Sequence, residues 1–74
     1  MNNTKDRIKI LLSELKMNQK EFSAFTGVDS AIICRILKGK HEISVPALRK
    51  ISDTTKISPT WLLGYGNDDE IERM

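Results

Sequence analysis

Few side chains in this sequence have the chemistry for catalysis or metal binding. Cys34 is the only cysteine and His41 the only histidine, and they stand seven residues apart. A zinc site needs several such ligands, and a single cysteine cannot form a disulfide within the chain. The sequence also shows no pair of carboxylates, no nucleophile with a base and no glycine loop that would cradle phosphate. We therefore expect no enzymatic activity, no metal and no cofactor.

The charged residues are distributed unevenly along the chain. Residues 1–66 carry eleven Lys and Arg against six Asp and Glu, a net charge of +5, whereas residues 67–74 carry a net charge of −3. A basic body with an acidic tail suits an anionic partner such as DNA. An ordinary solvated surface explains the same distribution, so charge alone leaves both interpretations open.

Length and composition indicate one small globular domain. The chain has 74 residues, of which 39% are hydrophobic and 30% charged. A chain of this size buries only about 60% of the surface that its unfolded form exposes, which leaves no room for a second layer around a cofactor cavity. No apolar stretch is long enough for a membrane span, and charged residues interrupt the segment where a signal peptide would lie. A cytoplasmic location, away from membranes, is the expectation.

A short helix in the first half of the chain is marked by its caps. The segment Asn18-Gln19-Lys20-Glu21 is close to a capping box, in which the Asn side chain accepts from free backbone N–H groups and the Glu side chain reaches back. Gly27 suits the left-handed residue that ends such a helix. The second helix is therefore predicted over Gln19 to Thr26.

A third helix follows almost at once. Asp29 is a favourable N-cap, and Gly39 marks an end, so the helix is predicted over Ser30 to Lys38. Two short helices joined by a glycine turn form the arrangement of a DNA-binding helix-turn-helix.

Three further helices are predicted around this pair. The first follows a cap at Thr4 and ends near Lys16. The fourth follows a cap at Ser44 and extends to about Thr54, and the fifth follows a cap at Ser58. The apolar residues that define the faces of the five helices are Ile8, Leu11, Leu12, Leu15, Phe22, Phe25, Ile33, Ile36, Leu48, Ile51, Trp61, Leu62 and Leu63. The predicted domain spans residues 1–66, and residues 67–74 are expected to be an acidic tail, frayed or the start of a linker.

The series of motifs from Arg7 to Gly64 resembles the phage repressor/Cro (Xre-type) helix-turn-helix family. The matching pieces, in chain order, are Arg7-Ile8-Lys9, Asn18 to Phe22, Gly27-Val28, Ile33, Arg35-Ile36, Lys38 to Lys40, Leu48, Lys50-Ile51, Ile57-Ser58 and Trp61 to Gly64. The resemblance implies an all-α, compact five-helix bundle of the lambda repressor-like kind. It further implies that the second helix lies across the DNA backbone and the third enters the major groove.

The chain departs from the family pattern at several positions. Ser23, Thr26 and Thr55 stand where the family usually has Ala or Leu. In the third helix, Ile32 and Leu37 stand where the family usually has polar residues. These two side chains could contact thymine methyl groups, pack against a neighbouring helix or form a patch for a protein partner.

The resemblance implies that four residues of the third helix read base edges: Ser30, Ala31, Cys34 and Arg35. Arg35 is the strongest reader, because a guanidinium pairs in bidentate fashion with O6 and N7 of guanine. The alternative role for Arg35 is an ion pair with Asp29 or Glu42. Ser30 discriminates little between bases, and Ala31 offers a methyl contact to thymine or merely permits close approach. For Cys34 the alternative to a contact in the major groove is a thiol that is buried in the protein and unreactive.

The resemblance also implies phosphate contacts, which set affinity rather than sequence preference. They are assigned to Gln19, Lys38, Lys40 and His41. Gln19 occupies the first position of the second helix, where free N–H groups and the helix dipole favour an anion. For the two lysines and the histidine, simple exposure to solvent is the alternative.

Two functions follow as hypotheses. The first is a transcriptional regulator, expected to be a repressor from a phage, mobile element or bacterial chromosome. It would bind a palindromic operator in double-stranded DNA as a homodimer, within the bacterial nucleoid. The second is an antitoxin-like module whose main partner is another protein, motivated by Ile32, Leu37 and the acidic tail.

Overall fold

The protein forms a five-helix bundle in the computed structural model, which describes residues 3–66 and 70–74. The helices are α1 (Thr4–Leu15), α2 (Gln19–Thr26), α3 (Ser30–Leu37), α4 (Val45–Thr55) and α5 (Pro59–Leu62). Across these described ranges, extended pairing is limited to one antiparallel bridge between Ile57 and Arg73. The predicted all-α fold class is therefore confirmed. No helix within the same ranges combines the length and hydropathy needed to cross a bilayer.

A single hydrophobic core holds the five helices together. α3 packs against both α1 and α2, while α4 contacts α2 and α5, and α5 closes the bundle against α1. The buried apolar residues are Ile8, Leu11, Phe22, Val28, Ile33, Ile36, Ala47, Ile51, Ile57, Trp61 and Leu62. Because every helix contributes to this one core, the placement of each helix depends on its neighbours.

Two aromatic or aliphatic residues expected to pack inward are instead exposed. Phe25 keeps 45% of its surface in solvent and Leu63 keeps 41%. On the two-turn helix α2, the buried stripe is formed by Phe22 and Thr26, which are four residues apart, and Phe25 lies to one side of it. Leu63 is the residue after the last turn of α5, so the helix does not direct it toward the core.

The ends of α1 and α3 differ slightly from the sequence prediction. Asn3, rather than Thr4, caps α1, and its side-chain oxygen accepts from the backbone N–H of Asp6 at 3.0 Å. Asn is a stronger cap than Thr, which explains why the helix begins one residue earlier. Lys38, predicted as the last residue of the third helix, is its C-cap.

The capping box of α2 is formed as predicted. The backbone N–H of Glu21 donates to the Asn18 side chain at 2.8 Å, and the backbone N–H of Asn18 donates to the Glu21 carboxylate at 3.0 Å. At the other end, Gly27 takes a φ of 77° and its N–H donates to the Ser23 carbonyl. Local hydrogen bonds therefore set both ends of the helix that precedes α3.

The turn between α2 and α3 is held by two of the residues that depart from the family pattern. The Thr26 hydroxyl donates to the Phe22 carbonyl at 2.8 Å within α2 and accepts from the Val28 N–H at 3.4 Å, and the Ser23 hydroxyl donates to the carbonyl of Val28. Val28 is itself 3% exposed, so the turn is anchored in the core by an apolar side chain. Polar residues at these positions thus stabilise the turn that sets α3 against α2.

Arg7 joins the first helix to the last. Its side chain is completely buried, and its guanidinium lies 4.6 Å from the centroid of the Trp61 ring. The Nη1 group donates to the carbonyl of Trp61 at 3.1 Å and to that of Tyr65 at 3.2 Å. A buried cation is costly to desolvate, so stacking on the ring and donating to backbone carbonyls offset that cost.

Residues 70–74 lie against the domain. The N–H of Ser58 donates to the Glu72 carbonyl, and the N–H of Met74 donates to the Lys56 carbonyl, both at 2.8 Å. Ile71 packs against the core, and Arg73 forms an exposed ion pair with Glu14 at 3.9 Å. The boundary expected at residue 66 stays a prediction, and residues 67–69 of the predicted tail lie outside the described ranges.

Replacing Arg7 with Ala is expected to lower the free energy of unfolding by about 2–4 kcal/mol, because two carbonyls lose their donor and the Trp61 ring loses its packing partner. Urea unfolding followed by tryptophan fluorescence measures the change. Lys9→Ala, a substitution at an exposed position of the same helix, should change the free energy of unfolding by less than about 0.5 kcal/mol. Equal effects of the two substitutions would contradict the role given to Arg7.

Replacing Asn18 with Ala should cost about 1 kcal/mol of stability, because the N–H of Glu21 loses its acceptor. Asn18→Asp retains a side-chain oxygen and should keep the wild-type stability within a few tenths of a kcal/mol. Hydrogen exchange of the Glu21 amide localises the effect, since it should accelerate in the Ala variant alone. Unchanged exchange in that variant would mean that the capping box does not hold α2.

Candidate nucleic-acid interface

Helix α3 has two opposite faces, one apolar and one exposed. Successive residues of a helix are rotated by about 100°, so Ser30, Ala31, Cys34 and Arg35 fall within an arc of about 140°. The four apolar residues of α3 occupy an opposite arc of similar width, with Ile33 and Ile36 at its centre. Ile33 is 0% exposed and Ile36 is 1% exposed, which fixes the first arc toward solvent.

All four predicted base readers lie on the outward arc. Ser30, Ala31 and Arg35 are exposed, whereas Cys34 is half-buried and free of any disulfide. The fold therefore brings these residues together on one accessible helical surface. Their side chains offer a guanidinium, a hydroxyl, a methyl group and a thiol, which can meet base edges by hydrogen bonding or methyl contact.

Ile32 and Leu37 lie at the two margins of the apolar arc. Both are half-buried and both pack against the core. This placement corresponds to the second of the three interpretations, in which they bury against neighbouring helices. It also widens the apolar face of α3 to about 140°, so that a helix of only eight residues is held firmly in the bundle.

Arg35 is available for an external partner. Among the described residues, Arg35 forms no ion pair with either Asp29 or Glu42. The Asp29 carboxylate instead accepts from the backbone N–H of Ala31 at 2.9 Å, where it caps α3. The guanidinium therefore remains on the solvent face, one helical turn beyond Ala31.

The residues expected to contact phosphate are all exposed, at the start of α2 and just after α3. Gln19 is exposed at the first position of α2, directly after the capping residue. Lys38 and Lys40 are exposed at the end of α3, where Gly39 takes a φ of 73° and the N–H of Lys40 donates to the Arg35 carbonyl at 3.1 Å. This left-handed turn closes the helix and sets the two lysines on either side of the glycine. His41 follows, also exposed.

The fold adds Lys5 to this basic group. Its Nζ and Cδ atoms lie 3.9 and 3.6 Å from the position that a side-chain carbon at Gly39 would occupy. Lys5 and His41 also line a cleft of about 400 Å³ between the start of α1 and the loop after α3. Sequence reasoning missed Lys5, because its proximity to Gly39 arises from the packing of α1 on α3.

The chemical capacity of this surface is recognition of a polyanion. Three lysines and a histidine lie at the C-terminal end of α3, whose outward arc carries an arginine. Lysine and arginine side chains bind phosphates by charge, whereas a helix projecting short side chains can reach base edges. No group of three His, Cys, Asp or Glu residues within the described ranges is placed to hold a metal ion.

Comparison with known proteins agrees with this geometry. A sequence model of the helix-turn-helix family matches residues 8–62, which include all of α2, α3 and α4. No curated protein and no solved structure gives a significant match to the chain. The family match covers most of the chain and both helices of the predicted motif. The chain therefore belongs to the Xre-type helix-turn-helix family of DNA-binding regulators.

Proposed function

We propose that the protein is a transcriptional repressor that recognises a specific operator through helix α3. The observation that carries the proposal is the outward arc of α3, which leaves Ser30, Ala31, Cys34 and Arg35 accessible while the opposite arc is buried. A helix presented in this way fits the major groove of B-DNA, which carries a distinct donor and acceptor pattern for each base pair.

Within this proposal, Arg35 supplies most of the sequence preference. A bidentate contact to guanine contributes about 1–3 kcal/mol of discrimination, more than a hydroxyl or methyl contact does. Ser30, Ala31 and Cys34 shape the fit along the rest of the reading face. Gln19, Lys38, Lys40 and His41 bind phosphates and hold the helix in its register, and Lys5 joins them beside Gly39.

The small number of base readers supports binding as a dimer to a palindromic operator. One monomer offers a single strong reader, so one half-site carries limited information. Two protomers related by a two-fold axis double the number of contacts and read half-sites about one helical turn apart. Such a protein would act at the chromosome, in the bacterial nucleoid.

The alternative of an antitoxin-like interaction module loses its main motivation. It depended on Ile32 and Leu37 as an apolar patch for a protein partner, whereas both residues are half-buried and pack against the core. We therefore propose no second function from the recognition helix.

Selection of bound sequences from a random pool of double-stranded DNA tests the proposal. The expected product is a motif with dyad symmetry, because two protomers present the same reading face. Affinity for that motif should fall by about 10³-fold or more between 50 and 200 mM salt if the protomers neutralise six or more phosphates together. Failure to enrich any motif at low salt would overturn sequence-specific recognition, and a motif without a dyad would overturn the palindromic operator.

Substitutions should separate base readers from phosphate-binding residues. Arg35→Ala is expected to relax preference at one base pair of each half-site, with a loss of about 1–3 kcal/mol of discrimination. Lys40→Ala and Lys5→Ala should weaken binding to all sequences alike and reduce the salt slope by about 1 for each phosphate that is no longer neutralised. Lys9→Ala, on the exposed surface of α1, serves as the charge-matched control.

These expectations are checked by titrating each variant against the selected motif and against every single-base change in it. A uniform loss of affinity for Arg35→Ala would assign Arg35 to phosphate binding. An unchanged salt slope for Lys5→Ala would remove Lys5 from the DNA-binding residues.

A further inference from the structure

The cleft between the start of α1 and the loop after α3 carries more than the two basic residues described above. We refer to it as the α1 cleft. Sites that hold small molecules have volumes of about 300–1,000 Å³, and the volume of the α1 cleft, about 400 Å³, lies within that range. Six of the residues that line it are Lys5, Ile36, His41, Glu42, Ile43 and Leu63.

Part of the lining of the α1 cleft is apolar. Ile36 belongs to the hydrophobic core and is 1% exposed, and the half-buried Ile43 packs against that core. Leu63, just after α5, adds an aliphatic side chain that is exposed to solvent. A phosphate group gains nothing from three aliphatic side chains. An apolar group of a ligand would cover them and release the water that contacts them.

The polar part of the lining carries both signs of charge. Lys5 and Glu42 line the same cleft, yet within residues 3–66 and 70–74 neither of them forms an ion pair. The imidazole of His41 lines the cleft beside them. A cation and an anion that are not paired with each other can each bind the opposite charge of a ligand. The Glu42 carboxylate also disfavours a phosphate in the cleft, because like charges repel.

A free α-amino acid with an apolar side chain matches this combination of groups. Its carboxylate would accept hydrogen bonds from Lys5 and His41, and its ammonium group would donate to Glu42. Its side chain would cover Ile43 and Leu63. A fatty acid would leave Glu42 without a partner, and a simple amine would leave Lys5 without one. The zwitterion is therefore the ligand class that satisfies both charges and the apolar lining.

We infer that the α1 cleft binds a free α-amino acid with an apolar side chain, and that this ligand lowers the affinity of the protein for its operator. The effect on the operator rests on the proposed function, in which Lys5 and His41 bind phosphate. A carboxylate held by these two side chains would occupy groups that the DNA backbone requires. Because coupling between two sites is reciprocal, DNA should weaken binding of the amino acid by the same factor.

Isothermal titration calorimetry of the free chain with L-leucine tests the binding, and L-phenylalanine and L-methionine are titrated in the same way. The expected result is saturable binding with a dissociation constant of about 1 mM or tighter. Three compounds each lack one group of leucine: glycine lacks the apolar side chain, 4-methylpentanoate lacks the ammonium group and 3-methylbutylamine lacks the carboxylate. Each should bind about fivefold more weakly or worse, because it leaves one part of the lining unmatched.

Substitutions with matched controls locate the site. Lys5→Met keeps the aliphatic stem and removes the charge, and Glu42→Gln keeps the shape and removes the opposite charge. Each should weaken binding of L-leucine about fivefold or more. Lys9→Met and Glu70→Gln remove the same charges at exposed positions and should leave binding unchanged. Leu63→Ala should also weaken binding, and the exposure of Leu63 should keep this variant folded, which circular dichroism confirms.

Three outcomes of these titrations would overturn the inference. They are no binding of any of the three amino acids, binding of 4-methylpentanoate as tight as that of L-leucine, or binding that is unchanged in both Lys5→Met and Glu42→Gln. Chemical shifts of backbone amides give a further check. The largest changes on addition of L-leucine should occur at Lys5, His41, Ile43 and Leu63, and changes confined to other residues would equally exclude the α1 cleft.

Titration of the selected DNA motif in the presence of L-leucine tests the effect on the operator. Saturating L-leucine should weaken DNA binding about fivefold or more, and the effect should be absent in Glu42→Gln. Unchanged DNA affinity while L-leucine is bound would overturn the regulatory part of the inference. The calorimetry needs no DNA, so a failure of the amino acid to bind is distinguishable from a failure of the proposed function, in which the selection returns no motif.

Discussion

The burial of Arg7 against Trp61 is the constraint on which the bundle depends. Arg7 belongs to α1 and Trp61 to α5, and the guanidinium both stacks on the ring and donates to carbonyls at the end of α5. An α5 of one turn has no stability of its own, since isolated short helices are not stable in water. The buried cation therefore fixes the last helix, and the closure of α5 on α1 and α4 completes the core that α3 requires.

The helix-turn-helix is positioned by a combination of local and core interactions. A capping box opens α2, the hydroxyl groups of Ser23 and Thr26 bond to the backbone of Val28 at the turn, and Asp29 caps α3. The buried face of α3 then sets its rotation, because Ile33 and Ile36 must face the core. This rotation leaves the proposed base readers outward, and none of them has a positive φ.

The small size of the domain limits how much of α3 can contact DNA. Most of the apolar surface of α3 is needed for packing, so only about half of the helix circumference is available to DNA. A reading face with one arginine and three small side chains suits recognition that is shared between two protomers.

The sequence by itself determined the number of helices, most of their ends and the assignment to the helix-turn-helix family. Caps, left-handed glycines and helical periodicity act within a few residues, so they can be recognised without knowledge of the rest of the fold. The two arcs of α3 also follow from its sequence and the helical rotation of about 100° for each residue. The sequence resemblance supplied the candidate roles of the outward residues.

Only the tertiary structure decided which side chains from distant segments meet. It placed Arg7 in the core rather than on a basic surface, left Phe25 and Leu63 exposed, and brought Lys5 beside Gly39. It also showed that residues 70–74, which read as part of an acidic tail, pair with residues 56–58. These outcomes depend on how the helices pack against one another, and no local pattern encodes the distances between their surfaces.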